Sequence, residues 1–136
     1  MKFGEKLKKL RAEKGLTQQD VSEAIGVSRR TYVSYEQEGR YPRKREIYVK
    51  LADAFKCDVN YLMTEDEEFV TSSGEKYGNR GKRQAEELVA EISGMFAGGD
   101  ISEEDKDAVF LALQRAYVLA KEVNRKYIRS DYRKED

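Results

Sequence analysis

The sequence predicts an all-α protein: a five-helix bundle over residues 1–63, then a linker, then a two-helix hairpin over residues 83–128. Three observations predict it. Apolar residues recur at three- and four-residue spacing through both halves, the period of a helix with one buried face. The runs end at stop signals, chiefly Gly15, Gly26 and Gly98-Gly99. Charged residues are 38% of the chain, against about 25% in an average domain, so the surface is heavily solvated and the core modest.

The first helix covers Phe3 to Lys14, where Phe3, Leu7 and Leu10 share a face with lysines between them. Thr17 is placed to cap a second helix over Gln18 to Ile25, with Asp20 as the capping-box acid. Val21 and Ile25 are its buried positions, and Gly26 ends it. Val27 fills the corner and Ser28 caps a third helix over Arg29 to Gln37. Tyr32 and Tyr35 form one face of that helix. Arg29, Arg30, Val33 and Ser34 form the other, with long donors and small groups that suit a groove. After a turn around Pro42, a fourth helix is expected over Arg43 to Phe55, burying Ile47, Leu51, Ala54 and Phe55. A short fifth helix over Val59 to Met63 closes the bundle with Tyr61 and Leu62.

The run Leu16-Thr17-Gln18-Gln19-Asp20-Val21-Ser22-Glu23-Ala24-Ile25-Gly26-Val27-Ser28, followed by Tyr32, Tyr35-Glu36 and Gly39, resembles the helix-turn-helix of the Cro and phage-repressor family, also called the XRE family. The resemblance covers about residues 3–63, including the Asn60-Tyr61-Leu62 ending. It implies a lambda-repressor-like DNA-binding domain whose third helix enters the major groove of double-stranded DNA. Ser22 departs from the usual alanine, but serine is nearly as small.

The resemblance also assigns roles. Ser28, Arg29, Arg30 and Ser34 match base-reading positions, with Thr31 and Val33 as weaker candidates for a thymine methyl. Two adjacent arginines diverge by about 100° around a helix, so one is expected to read a base and the other a phosphate. Gln18 matches a phosphate contact at a helix N-terminus. Arg40, Arg43, Lys44 and Arg45 match the loop and helix start that grip the backbone, where cations add affinity and salt dependence but little sequence reading. Arg11 and Glu36 match an internal brace holding the third helix. Tyr41 is expected to pack on the sugar-phosphate edge or to shield the turn.

Beyond Thr64 the letters change. Glu65-Asp66-Glu67-Glu68, Thr71-Ser72-Ser73-Gly74 and Gly78-Asn79-Arg80-Gly81 are acidic, small and turn-favouring, so residues 64–82 are expected to be a flexible tether. A sixth helix is expected from Lys82 to Ala97, and a seventh from Ser102, its cap, to Tyr127. Val109, Leu113, Ala116, Ala120, Val123 and Tyr127 trace a seam on the seventh helix, and Phe110, Leu111, Tyr117, Val118 and Leu119 lie outside it. A hairpin of this size cannot cover both faces. Residues 83–128 are therefore read as a homodimerisation element through Val109, Phe110, Leu113, Tyr117 and Ala120, with docking of another protein as the rival. Residues 129–136 are a charged tail.

Charge follows the same division. Residues 1–63 carry 14 Lys+Arg against 9 Asp+Glu, a net of +5, while residues 64–136 carry 12 against 17, a net of −5. Only the first half is suited to a polyanion. With no histidine and a single cysteine, Cys57, neither a Ser-His-Asp triad nor a multi-cysteine metal site can form, and no phosphate loop is present. The expectation is a non-enzyme without cofactor or metal. No secretory signal or membrane span is read, and the unpaired Cys57 suits a reducing cytoplasm. The function expected is a repressor of phage or mobile-element type, bound to a palindromic operator as a homodimer. The alternative is the antitoxin of a toxin–antitoxin pair. The second half also looks similar to C-terminal segments of mobile-element regulators, some of them paired with a regulatory metalloprotease, so a toxin or such a protease is a possible partner.

Overall fold

The computed structural model describes residues 2–99 and 101–132, with side-chain burial through residue 126. Among the described residues seven helices run in order: α1 (Phe3–Lys14), α2 (Gln18–Ile25), α3 (Arg29–Gln37), α4 (Arg45–Phe55), α5 (Val59–Leu62), α6 (Glu65–Met95) and α7 (Glu103–Tyr132). Two compact units divide near Ala90, so α6 contributes to both. Among the described residues no helix is long and apolar enough to cross a membrane.

In the first unit α2 begins on a reciprocal cap. The Asp20 N–H donates to the Thr17 hydroxyl at 3.0 Å, and the Thr17 N–H donates to the Asp20 carboxylate at 2.9 Å. Gly26 ends α2 at φ 77°, a left-handed turn that a side chain would strain. Ser28 starts α3 two residues later by accepting from the Thr31 N–H at 3.0 Å. These two signals fix where the paired helices end and begin. Their shared contact is the buried set Val21, Ile25, Tyr32 and Tyr35.

The core joins that pair to Phe3, Leu7, Leu10, Tyr48, Leu51, Phe55 and Leu62. Phe3 stacks on Tyr41 with ring centroids 5.3 Å apart and planes 13° apart. Tyr41 is thus a buried wedge under the turn, which removes the sugar-phosphate edge as its partner. The crossing of α1 over α3 is close enough to dictate composition. A Cβ on Gly4 would sit 2.5 Å from the Glu36 carbonyl oxygen, so the backbones could not approach as they do. Three expectations shift in this unit. Ile47 and Ala54 are half-buried, and Tyr48 and Ala52 join Leu51 and Phe55 on the buried face. α4 starts at Arg45 and not at Arg43, because Lys44 is extended at φ −121° and ψ 144°. Tyr61 does not close the bundle: it is 41% exposed, and Lys6 lies over its ring face.

The larger correction concerns residues 64–82. They are not a loose tether but the start of α6. Glu67 closes the start of the helix: the Thr64 N–H and hydroxyl both donate to its Oε1. Glu67, Val70, Thr71 and Gly74 repeat at helical spacing, and the first three are buried, with Phe69 beside them. The Lys6 ammonium reaches Glu67 at 3.4 Å, so that carboxylate is buried with a counterion. Arg45 ties the same helix from outside through Glu68 at 2.6 Å and Glu75 at 2.9 Å. Acids in the first turn also suit the positive end of the helix dipole.

Gly78 interrupts α6 at φ 76° and ψ −168°, a conformation open to glycine and costly for other residues. The chain turns back there. Residues eight apart on an unbroken helix lie about 12 Å apart, yet a Cβ on Gly74 would meet the Lys82 Cβ at 3.3 Å. The second run of α6 then buries Lys82, Ala85, Glu86 and Val89.

In the second unit Ser102 caps α7, accepting from the Asp105 N–H at 3.1 Å. α7 extends to Tyr132, beyond the expected end at Tyr127, so its backbone includes the start of the charged tail; residues 133–136 lie outside the described residues. Of the five positions expected to meet a second copy, Phe110 is buried by the chain itself, Val109, Leu113 and Tyr117 are half-buried, and Ala120 is exposed. The exposed apolar flank is a different one: Leu111 at 46%, Leu119 at 64% and Val123 at 44%. Gln114, Arg115, Val118, Leu119 and Glu122 line a shallow depression on that flank.

Candidate nucleic-acid interface

The exposed side of α3 carries Arg29, Arg30 and Thr31 next to its cap Ser28, with Val33 and Ser34 half-buried beside them. Tyr32, Tyr35 and Glu36 face inward. Among the described residues neither arginine is in an ion pair, and two exposed guanidinium groups stand near the helix N-terminus. Ser28 is committed differently. Its hydroxyl accepts from the Thr31 N–H and donates to the Thr31 hydroxyl at 2.9 Å, while Ser34 donates to the Thr31 carbonyl at 2.6 Å. Both serines spend their single donor inside α3, which leaves them acceptor capacity only. Arg29 and Arg30 are left as the exposed long donors of this face.

Beneath α3 lies a charged brace. The Arg11 Nε donates to Glu36 Oε2 at 2.7 Å, and Nη2 donates to Oε1 at 3.2 Å. A third nitrogen, Nη1, donates to the Leu16 carbonyl at 3.3 Å. The Gln18 amide donates to Glu36 Oε1 at 3.1 Å, so one of its two N–H groups is spent inward. With its side chain only 1% exposed, Glu36 locks α1, α2 and α3 together at a single carboxylate. Burial raises the Glu36 carboxyl, but the hydrogen bonds from Arg11 and Gln18 are among those that outweigh it, and the net shift is downward.

A carboxyl depressed in the folded state stabilises the fold above its unfolded value, about 4.3, and that contribution is lost as pH falls through the folded value. We expect Glu36→Gln to lower the melting temperature at pH 7, with the gap from the parent closing as pH falls below about 4. A gap that is the same at pH 7 and pH 3 in thermal melts would contradict the brace.

The loop between α3 and α4 presents Arg43 and Lys44 to solvent. Arg40 is also exposed, but its Nε donates to Glu86 at 3.0 Å. Arg45, expected with this group, is instead taken up by Glu68 and Glu75. These acids raise the Arg45 guanidinium well above its ordinary value, the Glu68 bond first and the Glu75 bond next. Arg45 therefore works as an anchor for α6. Lys6, Glu67, Lys82 and Glu86 were not singled out from the sequence. Their signal is register: Lys82, Ala85, Glu86 and Val89 share one helical stripe, and the two charges on it lie among buried neighbours.

Two short helices locked at a glycine corner, the second with its inner face braced and its outer face basic, form a helix-turn-helix. The helix-turn-helix family profile matches residues 7–62. The N-terminal domain belongs to the XRE helix-turn-helix family. Helix-turn-helix domains of this family are DNA-binding elements of transcriptional regulators. The chain is similar to the cryptic phage CTXphi transcriptional repressor RstR of Vibrio cholerae, 35% identical over 65 residues, which are 48% of this chain and 58% of that one. It is also similar to the uncharacterized HTH-type transcriptional regulator YqaE of Bacillus subtilis (strain 168), 33% identical over 61 residues, 45% of this chain and 52% of that one. The chain thus spans little more than half the length of the curated relatives it matches. No solved structure matches the chain. The likeness is of the size of the XRE domain, so α7 must be read from its own chemistry.

Proposed function

We propose that the protein is a sequence-specific transcriptional repressor of phage or mobile-element type that binds a palindromic operator as a homodimer. The observation that carries the reading is α3: a helix held from inside by the Glu36 carboxylate and bearing Arg29 and Arg30 on its outer face. Rigid presentation lets a guanidinium meet guanine O6 and N7 with both of its parallel donors. Arg43 and Lys44, exposed before α4, supply phosphate contacts that set register. Similarity to a protein named as a phage repressor supports the repressor reading. Repression follows from occupancy of a promoter, and no cofactor is called for.

The homodimer reading rests on α7. Leu111, Leu119 and Val123 expose apolar surface that a second copy would cover. Arg115 and Glu122 flank Val118 and Leu119 symmetrically on the lining of the same depression. In an antiparallel pair of α7 helices, each Arg115 faces the other copy's Glu122 across that apolar centre, a self-complementary arrangement of the kind a two-fold interface requires.

The test is selection of duplexes from a random pool by the full chain. The expected result is a single enriched motif with two inverted half-sites whose centres lie about 34 Å apart, one helical turn. Recovery of no motif, or of a motif without inverted symmetry, overturns the operator reading.

A further inference from the structure

Residues 40–44, the stretch with phosphate-gripping cations, are fastened by one carboxylate from α6. Glu86 Oε2 accepts from the Tyr41 backbone N–H at 2.8 Å and from the Lys82 ammonium at 2.6 Å, and Oε1 accepts from Arg40 Nε at 3.0 Å. The side chains of Glu86 and Lys82 are each 5% exposed. That of Arg40 stays 44% exposed, so its guanidinium is held at one nitrogen while much of it remains at the surface. Beneath it, Tyr41 is pinned by its ring on Phe3 and by its N–H on Glu86.

We propose that Glu86 is a positioning residue for DNA binding: it fixes the backbone at Tyr41 and aims Arg40, so that the loop before α4 meets the phosphates preorganised. The inference rests on the reading of residues 40–44 as a phosphate grip. A buried carboxylate with two cations is an expensive way to hold a helix in place, since apolar residues of similar volume stabilise at least as well. What the ionic arrangement adds is direction. A carboxylate paired with Arg Nε fixes the plane of the guanidinium, and an acceptor on a backbone N–H fixes the turn. The acid also comes from α6, outside the matched residues 7–62, so the second run of that helix completes an interface begun by the XRE domain.

The sign of the effect separates positioning from simple electrostatics. Glu86→Gln removes a negative charge beside a basic loop. If Glu86 acted only through its charge, the change would tighten binding to DNA, because repulsion of phosphate is relieved. If it positions Arg40, binding weakens despite the gain in positive charge.

The experiment uses the full chain, the operator recovered by selection and a random duplex of equal length. Glu86→Gln is expected to weaken both complexes by roughly tenfold and to reduce the salt slope by about 1, the mark of one lost phosphate contact. In an Arg40→Ala background the same substitution is expected to add little, since its effect passes through Arg40. Lys82→Met combined with Glu86→Gln removes both buried charges while keeping an acceptor for Tyr41. It serves as the second variant if Glu86→Gln unfolds, with the same loss expected. Unchanged or tighter binding in a folded variant overturns the proposal, as does an undiminished loss in the Arg40→Ala background. The underlying reading fails separately, and the proposal with it, if the parent chain selects no DNA or if Arg43→Ala with Lys44→Ala leaves the salt slope unchanged.

Discussion

Alanine at the base-reading arginine of α3, Arg29 or Arg30, is expected to cost operator affinity about 5- to 150-fold, the equivalent of about 1–3 kcal/mol for a bidentate guanine contact. Binding to random DNA falls much less, because that complex contains no specific base pair to lose. The other arginine behaves differently. The two side chains leave α3 about 100° apart, so when one enters the groove its neighbour is turned toward the strand. Its alanine variant weakens operator and random DNA alike and lowers the salt slope by about 1. The measurement is a pair of titrations, operator and random duplex, at two salt concentrations for each variant. Equal losses on both duplexes from both variants would remove direct readout by α3. Ser28 and Ser34 are expected to matter less, since their donors are bound to Thr31.

Most of the N-terminal domain is legible because its signals are local. Thr17 with Asp20, Gly26 and Ser28 are cap and stop residues acting within one turn of themselves, and the bounds of α2 and α3 follow from them. The start of α4 is less legible because Arg43 and Lys44 resemble a helical first turn, while the chain bends at both and Lys44 itself is extended, so the helix begins only at Arg45. Residues 64–82 mislead for a different reason. Their serine, threonine, asparagine and glycine residues have weak helix propensity, but propensity yields to burial of an amphipathic face. Val70 and Thr71 are buried, and Glu67 is matched by Lys6, a partner 61 residues away that no local pattern reveals. One signal was available: Thr64-Glu65-Asp66-Glu67 has the spacing of a capping box, which marks a helix start and not a tether. The outer face of the interface shows the same limit. Composition identifies Arg40 and Arg45 as basic, but only tertiary placement shows that Glu86 pairs with the first and that Glu68 and Glu75 occupy the second.

A single glutamate at Leu119 is expected to turn the proposed dimer into a monomer. Leu119 is 64% exposed at the centre of the apolar flank of α7, so the substitution costs little in the isolated chain. In a two-fold pair it places two carboxylates near one another at an apolar centre, where burial of each charge is strongly unfavourable. Because the interface is self-complementary, the charge pair offers a second and independent test. Arg115→Glu alone sets Glu against Glu122 twice, and Glu122→Arg alone sets Arg against Arg115 twice. Both weaken the dimer. The chain carrying both changes restores opposite charges across the axis and is expected to dimerise again. Arg125 lies 3.7 Å from Glu122 within the same helix, but that pair is exposed and worth little. Sedimentation of the full chain at tens of micromolar decides among these outcomes. Loss of dimer should also weaken operator binding steeply, since the second half-site is no longer held at high local concentration. A parent chain that sediments as a monomer overturns the dimer itself. Dimers that survive Leu119→Glu but not Leu113→Glu would move the interface to the seam of Val109, Leu113 and Ala120, and single charge swaps without rescue in the double variant would rule out the antiparallel arrangement.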